Sequence, residues 1–428
     1  MMSTSAPKTL GIALAFVGTV VPDTPEYRSA AFNRAGNIFQ AQLVHGLARR
    51  GFPDIQVLSV RPVPAYPKSP QLLFPPGRMR LNDGLAAWLL PFPNVTPLKQ
   101  IVLGFDVLFG LLLWAWRKRG RKRLVLTYNL SVPPGAFTLF AARLTGAKAV
   151  VSVNDINVPG ETVPGSALFR LDFLLQRWLL PRFDGHLVVA DEIARDFFPG
   201  RPYVRIEGGV DLEFLQRTDQ RDRRSKGDGP LTLAFAGWLN EANGVPLILG
   251  AFEIAREAAL RLKIAGTGPL ENMVEEAARQ DTRIEFLGMV DATGVADLYA
   301  QADVLLNVRL TKAINTRYFF PSKLIEYMGS GVPTITTRVA HAEAEFVGLA
   351  YVLKDESPRG LADLISFVAS RPLDERQELA RRARAYVSTN KTWDVQVAKV
   401  ARYLHDVMDG WEHEPGRTRD GSVNDRRV

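Results

Sequence analysis

The sequence predicts an α/β protein made of two doubly wound parallel-sheet units in series. Three observations predict it. The chain has 428 residues, too many for one ordinary core and enough for two domains of about 200. Short, continuous apolar runs recur along it, as in strands buried on both faces. Helical patterns separate those runs, which is the order of a parallel sheet with crossover helices.

Residues 10–17 form the first apolar run. Phe39, Leu43 and Leu47 then recur every four residues, an amphipathic helix closing at Gly51. Residues 55–60 read as the next strand, and 62–97, rich in proline and without period, as loop and short helices. Residues 124–127, 149–153 and 186–190 are further strand-like runs, completing a first domain over 1–205. The second domain, 206–390, has strand runs at 231–236, 261–265, 284–287, 304–308 and 334–336. Residues 218–230 are polar and charged, a surface loop. A last helix is expected at 393–408, within a crossing segment 391–409. The polar stretch 410–428 is expected to be disordered.

Composition excludes several function classes. There is no cysteine, hence no disulfide framework, thiolate metal site or thiol catalysis. That usage fits a reducing cytoplasm, and cytoplasmic is the expected location. The net charge of +8 favours anionic partners such as nucleotide phosphates or anionic lipid. The basic residues are dispersed and carry no nucleic-acid-binding motif, so nucleic acid is not expected as a partner. Residues 1–9 are short and polar, without a basic leader region or cleavage site, so no signal peptide is expected.

The chemistry concentrates between Phe319 and Pro333. Pro321 and Ser322 stand where a loop becomes a helix, with Ser322 as the expected N-cap. Free N–H groups and the positive end of the helix dipole then face the loop. Lys323 in the first turn is locally unfavourable unless an anion sits on that helix end. The bland alternative is a capped surface helix with a solvated lysine. Glu326, one turn on, could accept hydrogen bonds from two ribose hydroxyls.

This segment resembles the retaining GT-B glycosyltransferases of family four, the glycosyl transferases group 1. The family signature is Glu, seven residues, Glu, then a small-residue turn and Pro. Glu326 matches the second Glu and Gly331-Val332-Pro333 the turn, while Tyr318 stands in place of the first Glu. Asn307-Val308-Arg309, Phe320-Pro321-Ser322-Lys323 and Glu326-Tyr327-Met328 resemble a subgroup reading N-x-R, F-P-S-K and E-Y-M. The resemblance runs over nearly the whole chain in order. It implies two Rossmann-like domains facing a cleft, with a C-terminal helix crossing back. It also implies a donor ribose on Glu326 and a donor diphosphate at Ser322, Lys323 and Leu324.

Ala35-Gly36-Asn37 resembles the family's Gly-Gly loop, whose backbone approaches the donor phosphates. A Cβ would block that approach; read alone, Gly36 is a plain turn residue. Residues 206–211 resemble the I-P-N-G-V-D stretch that opens the second domain. Residues 237–244 resemble the loop G-R-L-x-x-x-K-G, placing Gly237, Asn240 and Gly244 against the donor. The Arg and Lys that bind the diphosphate in relatives are Trp238 and Asn243 here. Arg309 and Lys323 are the candidate replacements, with a surface ion pair as the alternative for Arg309. Residues 264–270 resemble the G-x-G-P turn, with Thr267 and Gly268 toward the donor. Residues 286–290 resemble F-x-G-x-V, whose backbone at Met289 would pair with the base.

The first domain should hold the acceptor. Relatives often carry a His near the strand end at 149–153, where this chain has Asn154-Asp155. Asp155 joins Lys323 and Arg309 as a candidate catalytic residue, with a loop or helix cap as its alternative. His45 and His186 read as structural. No Ser-His-Asp order, H-E-x-x-H or D-x-D stands out, so no metal and no cofactor is expected. The substrate implied by the resemblance is a UDP- or GDP-linked sugar.

Residues 101–116 are strongly apolar and precede six cations, Arg117 to Arg123 around Gly120. The run falls short of the ~20 residues that span a bilayer. Asp106 within it would cost about 2.5–3.5 kcal/mol at the membrane centre. A buried helix and a helix docked on an anionic membrane surface both remain; docking would add a peripheral place on the inner face of the cell membrane.

The expected function is transfer of a sugar from a nucleotide diphosphate to a lipid-linked or saccharide acceptor, with retention, in cell-surface polysaccharide or glycolipid synthesis. One rival is a nucleotide-binding scaffold without catalysis, motivated by Tyr318, Trp238 and Asn243. The other is a sugar-phosphate phosphorylase or epimerase on the same fold.

Overall fold

The computed structural model describes residues 11–410 except 28–30, 82–83, 130–131, 221–228, 256–258, 313–314 and 339–340. The expectations for residues 1–9 and 411–428 lie outside these. The chain divides into two compact units, one of residues 1–206 with 397–428 and one of residues 207–396.

Unit 1 opens with β1 (Ala13–Gly18), α1 (Arg34–Arg49) and β2 (Ile55–Ser59). All six residues of β1 are buried, which is why it reads as a continuous apolar run. Phe39, Leu43 and Leu47 bury one face of α1. Residues 62–97 are not the loop and short helices the sequence suggested. They carry β3 (Leu73–Phe74), β4 (Gly77–Arg80), β5 (Ala86–Leu89) and β6 (Phe92–Pro93). β5 pairs parallel with β2 and antiparallel with β4, and β3 pairs with β6. Strands of two to four residues broken by proline carry no readable period, which hid them.

Then follow α2 (Leu98–Arg117), β7 (Arg123–Tyr128), α3 (Val132–Thr145), β8 (Lys148–Val153), α4 (Ala167–Leu179), β9 (Gly185–Val188), α5 (Asp191–Phe197) and β10 (Tyr203–Arg205). The sheet order is β10-β9-β8-β7-β1-β2-β5-β4. The chain grows one way from β1 through β2 and the other way through β7, so the switch point lies between β1 and β7. Crevices at such points, beyond the carboxyl ends of the strands, are where ligands bind in this architecture.

Helix α2 is long and apolar enough to cross a membrane by length and composition. Its inner face is core: Leu103, Val107, Leu111 and Trp114 are buried. Its outer face, with Ile101, Phe105, Phe109, Leu113 and Trp116, is exposed. The cations after it are largely engaged within the protein. Lys118 and Arg121 pair with Asp54, and Lys122 with Asp409. Arg123 donates to the carbonyls of Ala115 and Thr145 at 2.9 and 2.7 Å. The run is therefore not the free basic patch that the sequence suggested.

Unit 2 carries α6 (Leu212–Gln220), β11 (Leu231–Trp238), α7 (Val245–Ile254), β12 (Leu260–Thr267), α8 (Glu271–Gln280), β13 (Ile284–Phe286), α9 (Ala292–Gln301), β14 (Val304–Asn307), α10 (Ser322–Ser330), β15 (Thr334–Thr337), α11 (Ala342–Glu345), β16 (Tyr351–Leu353), α12 (Pro358–Ser370) and α13 (Leu373–Asn390). Its sheet order is β13-β12-β11-β14-β15-β16, entirely parallel, with the switch point between β11 and β14. Residues 218–220 belong to α6 rather than to the expected loop, and 221–228 lie outside the described residues. A last helix, α14 (Trp393–Met408), enters unit 1 from Val397 on.

Candidate functional site

At the switch point of unit 2 two loops meet, one after β11 and one after β14. Leu310 N donates to Ala242 O at 3.1 Å and binds them together. Gly244 starts α7 with φ +71°, and a Cβ there would stand 2.5 Å from the Val308 carbonyl oxygen. Only glycine lets these backbones approach so closely. Gly266 and Gly268 serve the same end between β12 and the β11 loop: their Cβ atoms would collide with Gly237 O and Leu239 O. Of the donor-loop glycines read from the sequence, Gly244 and Gly268 therefore pack backbone on backbone, while Gly237 supplies the carbonyl that Gly266 must clear.

Asn240 accepts from Asn243 N at 2.9 Å, and Asn243 Nδ2 donates to Trp238 O at 2.6 Å. The residue in the place of the relatives' lysine thus closes the loop on itself, and Trp238 is 55% exposed. Thr267 is bonded to Glu271 at 2.6 Å. Met289 is 74% exposed beside Gly288, whose φ of +61° marks a turn.

Helix α10 begins one residue earlier than expected. Pro321 is the N-cap and makes no side-chain cap bond, so Ser322 is the first helical residue and not the cap. Proline fixes a φ that permits this and offers no N–H to satisfy. Ser322 N bonds Phe320 O and Leu324 N bonds Pro321 O, while Lys323 N has no acceptor among the described residues. Tyr327 ties α10 to β11, accepting from Ala236 N at 2.9 Å and donating to Ala236 O at 3.0 Å.

Glu326 is held by two neighbours. The buried Tyr299 hydroxyl donates to its Oε1 at 2.7 Å, and Lys323 Nζ lies 3.4 Å from both oxygens. Burial, then the Glu326 charge, pushes the Tyr299 phenol well above its usual range. Tyr299 therefore stays a donor and aims the carboxylate. Sequence reading missed it, because 27 residues separate it from Glu326 and no motif links them.

Arg309 leaves β14 at the switch point. Its N–H donates to Thr337 Oγ1 at 2.9 Å, and its guanidinium lies 4.9 Å from the Phe319 ring centroid. Burial lowers its pKa to about 10. Among the described residues no carboxylate pairs with it, so the surface ion pair considered from the sequence is not what holds this side chain. Its cation–π contact offsets only part of its desolvation.

The residues assigned in unit 1 are placed differently. Gly36 already donates its N–H to Asn33, the N-cap of α1, at 3.0 Å. A Cβ on it would stand 2.8 Å from the Tyr128 hydroxyl. Asn37 accepts from Val21 N at 2.9 Å and donates to Val21 O at 2.8 Å. The Gly36 N–H and the side-chain amide of Asn37 are thus engaged within unit 1. Asp155 is exposed in a loop and accepts from Asn129 Nδ2 at 2.9 Å. Asn129 has φ +49°, and its Oδ1 also accepts from Asn154 N and Asp155 N. Asn129 rather than a helix end positions this carboxylate.

Glu207, His341 and Glu345 offer ligand atoms within 4.8 Å of one another. Lys391 Nζ stands 3.0 Å from Glu207 and 2.6 Å from Glu345, supplying the positive charge that a cation would bring. This cluster is a salt-linked part of unit 2.

Fold and topology define an α/β protein of two parallel-sheet units. Residues 230–371 match the family model described as Glycosyl transferases group 1. Over 123 residues the chain is 32% identical to a GDP-mannose-dependent alpha-(1-6)-phosphatidylinositol dimannoside mannosyltransferase from Mycobacterium tuberculosis. That match spans 28% of this chain and 30% of the relative. Among solved structures, sucrose-phosphate synthase from Thermosynechococcus elongatus is similar with a TM-score of 0.65 at 15% identity, over 93% of this chain and 99% of that one. Anabaena HepE in complex with UDP is similar with a TM-score of 0.64 at 13% identity, over 92% and 100%. The fold is GT-B, and unit 2 carries the likeness to the glycosyl transferases group 1.

Proposed function

We propose that this chain is a glycosyltransferase. It moves a sugar from a UDP- or GDP-linked donor to a lipid-linked or saccharide acceptor, with retention of configuration and without a metal ion. The observation that carries this reading is Arg309. A partly desolvated guanidinium that no carboxylate among the described residues pairs with, at the switch point of the unit that resembles this family, calls for an anionic ligand. The donor diphosphate is that anion.

Arg309, the Lys323 N–H and the positive end of α10 then share its charge. Glu326, aimed by Tyr299, takes the ribose. The leaving diphosphate gains charge as the glycosidic bond breaks, so fixed cations help the transition state more than the ground state. Asp155 in unit 1 is the candidate side chain on the acceptor side. The GDP-mannose-dependent phosphatidylinositol dimannoside mannosyltransferase that the chain resembles over 123 residues supports a role in cell-surface polysaccharide or glycolipid synthesis.

Calorimetric titration with UDP, GDP and their sugars tests this. A charge-assisted hydrogen bond contributes about 1.5–3 kcal/mol, so Arg309→Met should weaken the best ligand about ten- to hundredfold with an unchanged melting temperature. Failure to bind any nucleoside diphosphate, or a variant that binds like the native protein, overturns the reading. Donor binding with neither transfer nor donor hydrolysis favours the scaffold instead.

A further inference from the structure

Unit 1 carries an apolar surface that nothing among the described residues covers. On α2 the exposed Leu98, Ile101, Phe105, Phe109, Leu113 and Trp116 fall every three or four residues, one stripe along the whole helix. α3 packs on α2 and adds exposed Phe140 and Leu144. α4, which touches α3, turns Leu168, Leu171, Leu174 and Trp178 outward. Phe109, Leu174 and Trp116 are 63%, 62% and 61% exposed, so this face protrudes rather than forming a groove. Single exposed leucines are ordinary, but a contiguous patch of this kind marks an interaction surface.

The rim of the patch is cationic. Arg117 and Arg119 close α2, with the Arg119 guanidinium 5.1 Å from the Trp116 ring centroid. Arg182 lies 3.7 Å from the Trp178 centroid. Next to Phe140 and Trp178 a cavity of about 700 Å³ is lined by Arg143, Arg182 and Arg201, with one acid, Asp184, 3.5 Å from Arg143. The acids on the same helices are drawn inward. Asp106 has a buried carboxylate oxygen, and Asp172 is bonded by Gln176 at 2.6 Å. Burial raises both carboxyls above their usual range.

We propose that this face docks unit 1 on an anionic lipid bilayer. Its leucine and aromatic side chains enter the boundary between headgroups and acyl chains, and the arginine rim meets lipid phosphates. Arginine beside tryptophan suits that boundary, since each has an apolar body and a polar end. Crossing the bilayer is disfavoured, because the other face of α2 is part of the unit 1 core. A second copy of the chain is the competing occupant, and a rim in which arginines outnumber the single acid, Asp184, opposes it by bringing arginines against arginines. The sequence placed docking on the apolar helix 101–116 together with the cations from Arg117 to Arg123. The structure moves it to a three-helix face, since four of those six cations are engaged elsewhere. The proposal does not depend on glycosyl transfer, although it would bring unit 1 to a lipid-linked acceptor.

Co-sedimentation of the full chain with phosphatidylcholine vesicles holding about one-third phosphatidylglycerol tests it. The native protein should pellet with these vesicles, far less with pure phosphatidylcholine, and less again at high salt. Phe109→Glu with Leu174→Glu alters only exposed side chains and should lower the bound fraction at least tenfold at an unchanged melting temperature. Arg119→Gln with Arg182→Gln should lower it severalfold, on the anionic vesicles only. A native protein that stays in the supernatant, or a double-glutamate variant that pellets normally, overturns the proposal. So does a dimer in sedimentation equilibrium that the glutamates break while vesicle binding is absent.

Discussion

Both units place a glycine and the start of a helix at the switch point of their sheet, yet they settle the polar groups there in opposite ways. In unit 1 the protein answers every group itself. Asn33 caps Gly36, Asn37 clasps both backbone atoms of Val21, and Gln40 bonds the Thr19 backbone and hydroxyl at 2.8 and 3.0 Å. In unit 2 the glycines press backbone against backbone, and no carboxylate among the described residues pairs with the Arg309 guanidinium near this switch point. A glycine before a helix can admit a ligand or let the protein close on itself. The donors and acceptors around it decide which.

The largest effect expected from this contrast is on stability. Gly266 has φ +144°, and a Cβ would collide with the Gly237 carbonyl oxygen, a backbone atom within a paired strand. Gly266→Ala should cost about 3 kcal/mol or more, from strain and overpacking together. A Cβ at Gly36 meets the end of the Tyr128 side chain at 2.8 Å, and that end can shift. Gly36→Ala should cost about 1 kcal/mol. Denaturant unfolding of both variants measures the difference, and equal costs would erase the contrast between the two glycines.

Next in size is an acid sensitivity assigned to unit 1. His186 is fully buried there, with its ring nitrogens 3.0 and 2.8 Å from the carbonyls of Pro202 and Leu180. Burial outweighs those acceptors and lowers its pKa from 6.5 to about 4. The unfolded chain therefore binds the extra proton first, so stability is present above pH 6.5 and is lost as the pH falls toward 4. The loss should approach 3 kcal/mol, on the order of 1.36 kcal/mol per unit. Proton titration of the His186 ring by NMR checks the sign. A ring that charges above pH 6.5 would reverse it.

Much of this was legible in the sequence, for a physical reason. Strands buried on both faces, such as β1 and β11, read as continuous apolar runs, and the crossover helices between them carry a clear period. The short strands β3 to β6 carried neither signal. At the site, Lys323 was singled out because a cation in a helix's first turn is locally unfavourable, while Glu326 and Arg309 were singled out through the family resemblance. Tyr299 and Asn129 were not readable, since each acts through a partner distant in the sequence. Nor does the sequence show that Asn33 and Val21 use the polar groups of Gly36 and Asn37.

The smallest expected effect sharpens the comparison at the two helix starts. Each begins with a cation against its dipole: Arg34 on α1 and Lys323 on α10. Arg34 is answered by Asp23 at 3.1 Å, outside its helix, whereas Lys323 has Glu326 at 3.4 Å within its own first turn. Both side chains of the Lys323 pair are 31% exposed, so solvent screens it and it contributes no more than about 0.5 kcal/mol. Lys323→Ala should therefore leave the melting temperature nearly unchanged. If the donor diphosphate occupies this helix end, the lysine meets a charge that grows as the bond breaks. Lys323→Ala should then lower kcat severalfold, more than it raises the donor KM. Glu326→Ala should chiefly raise the donor KM, because ribose contacts do not change during cleavage. Steady-state kinetics on the two variants separates these outcomes. Normal turnover in Lys323→Ala would leave Arg309 as the phosphate cation and reduce α10 to a surface helix like the start of α1.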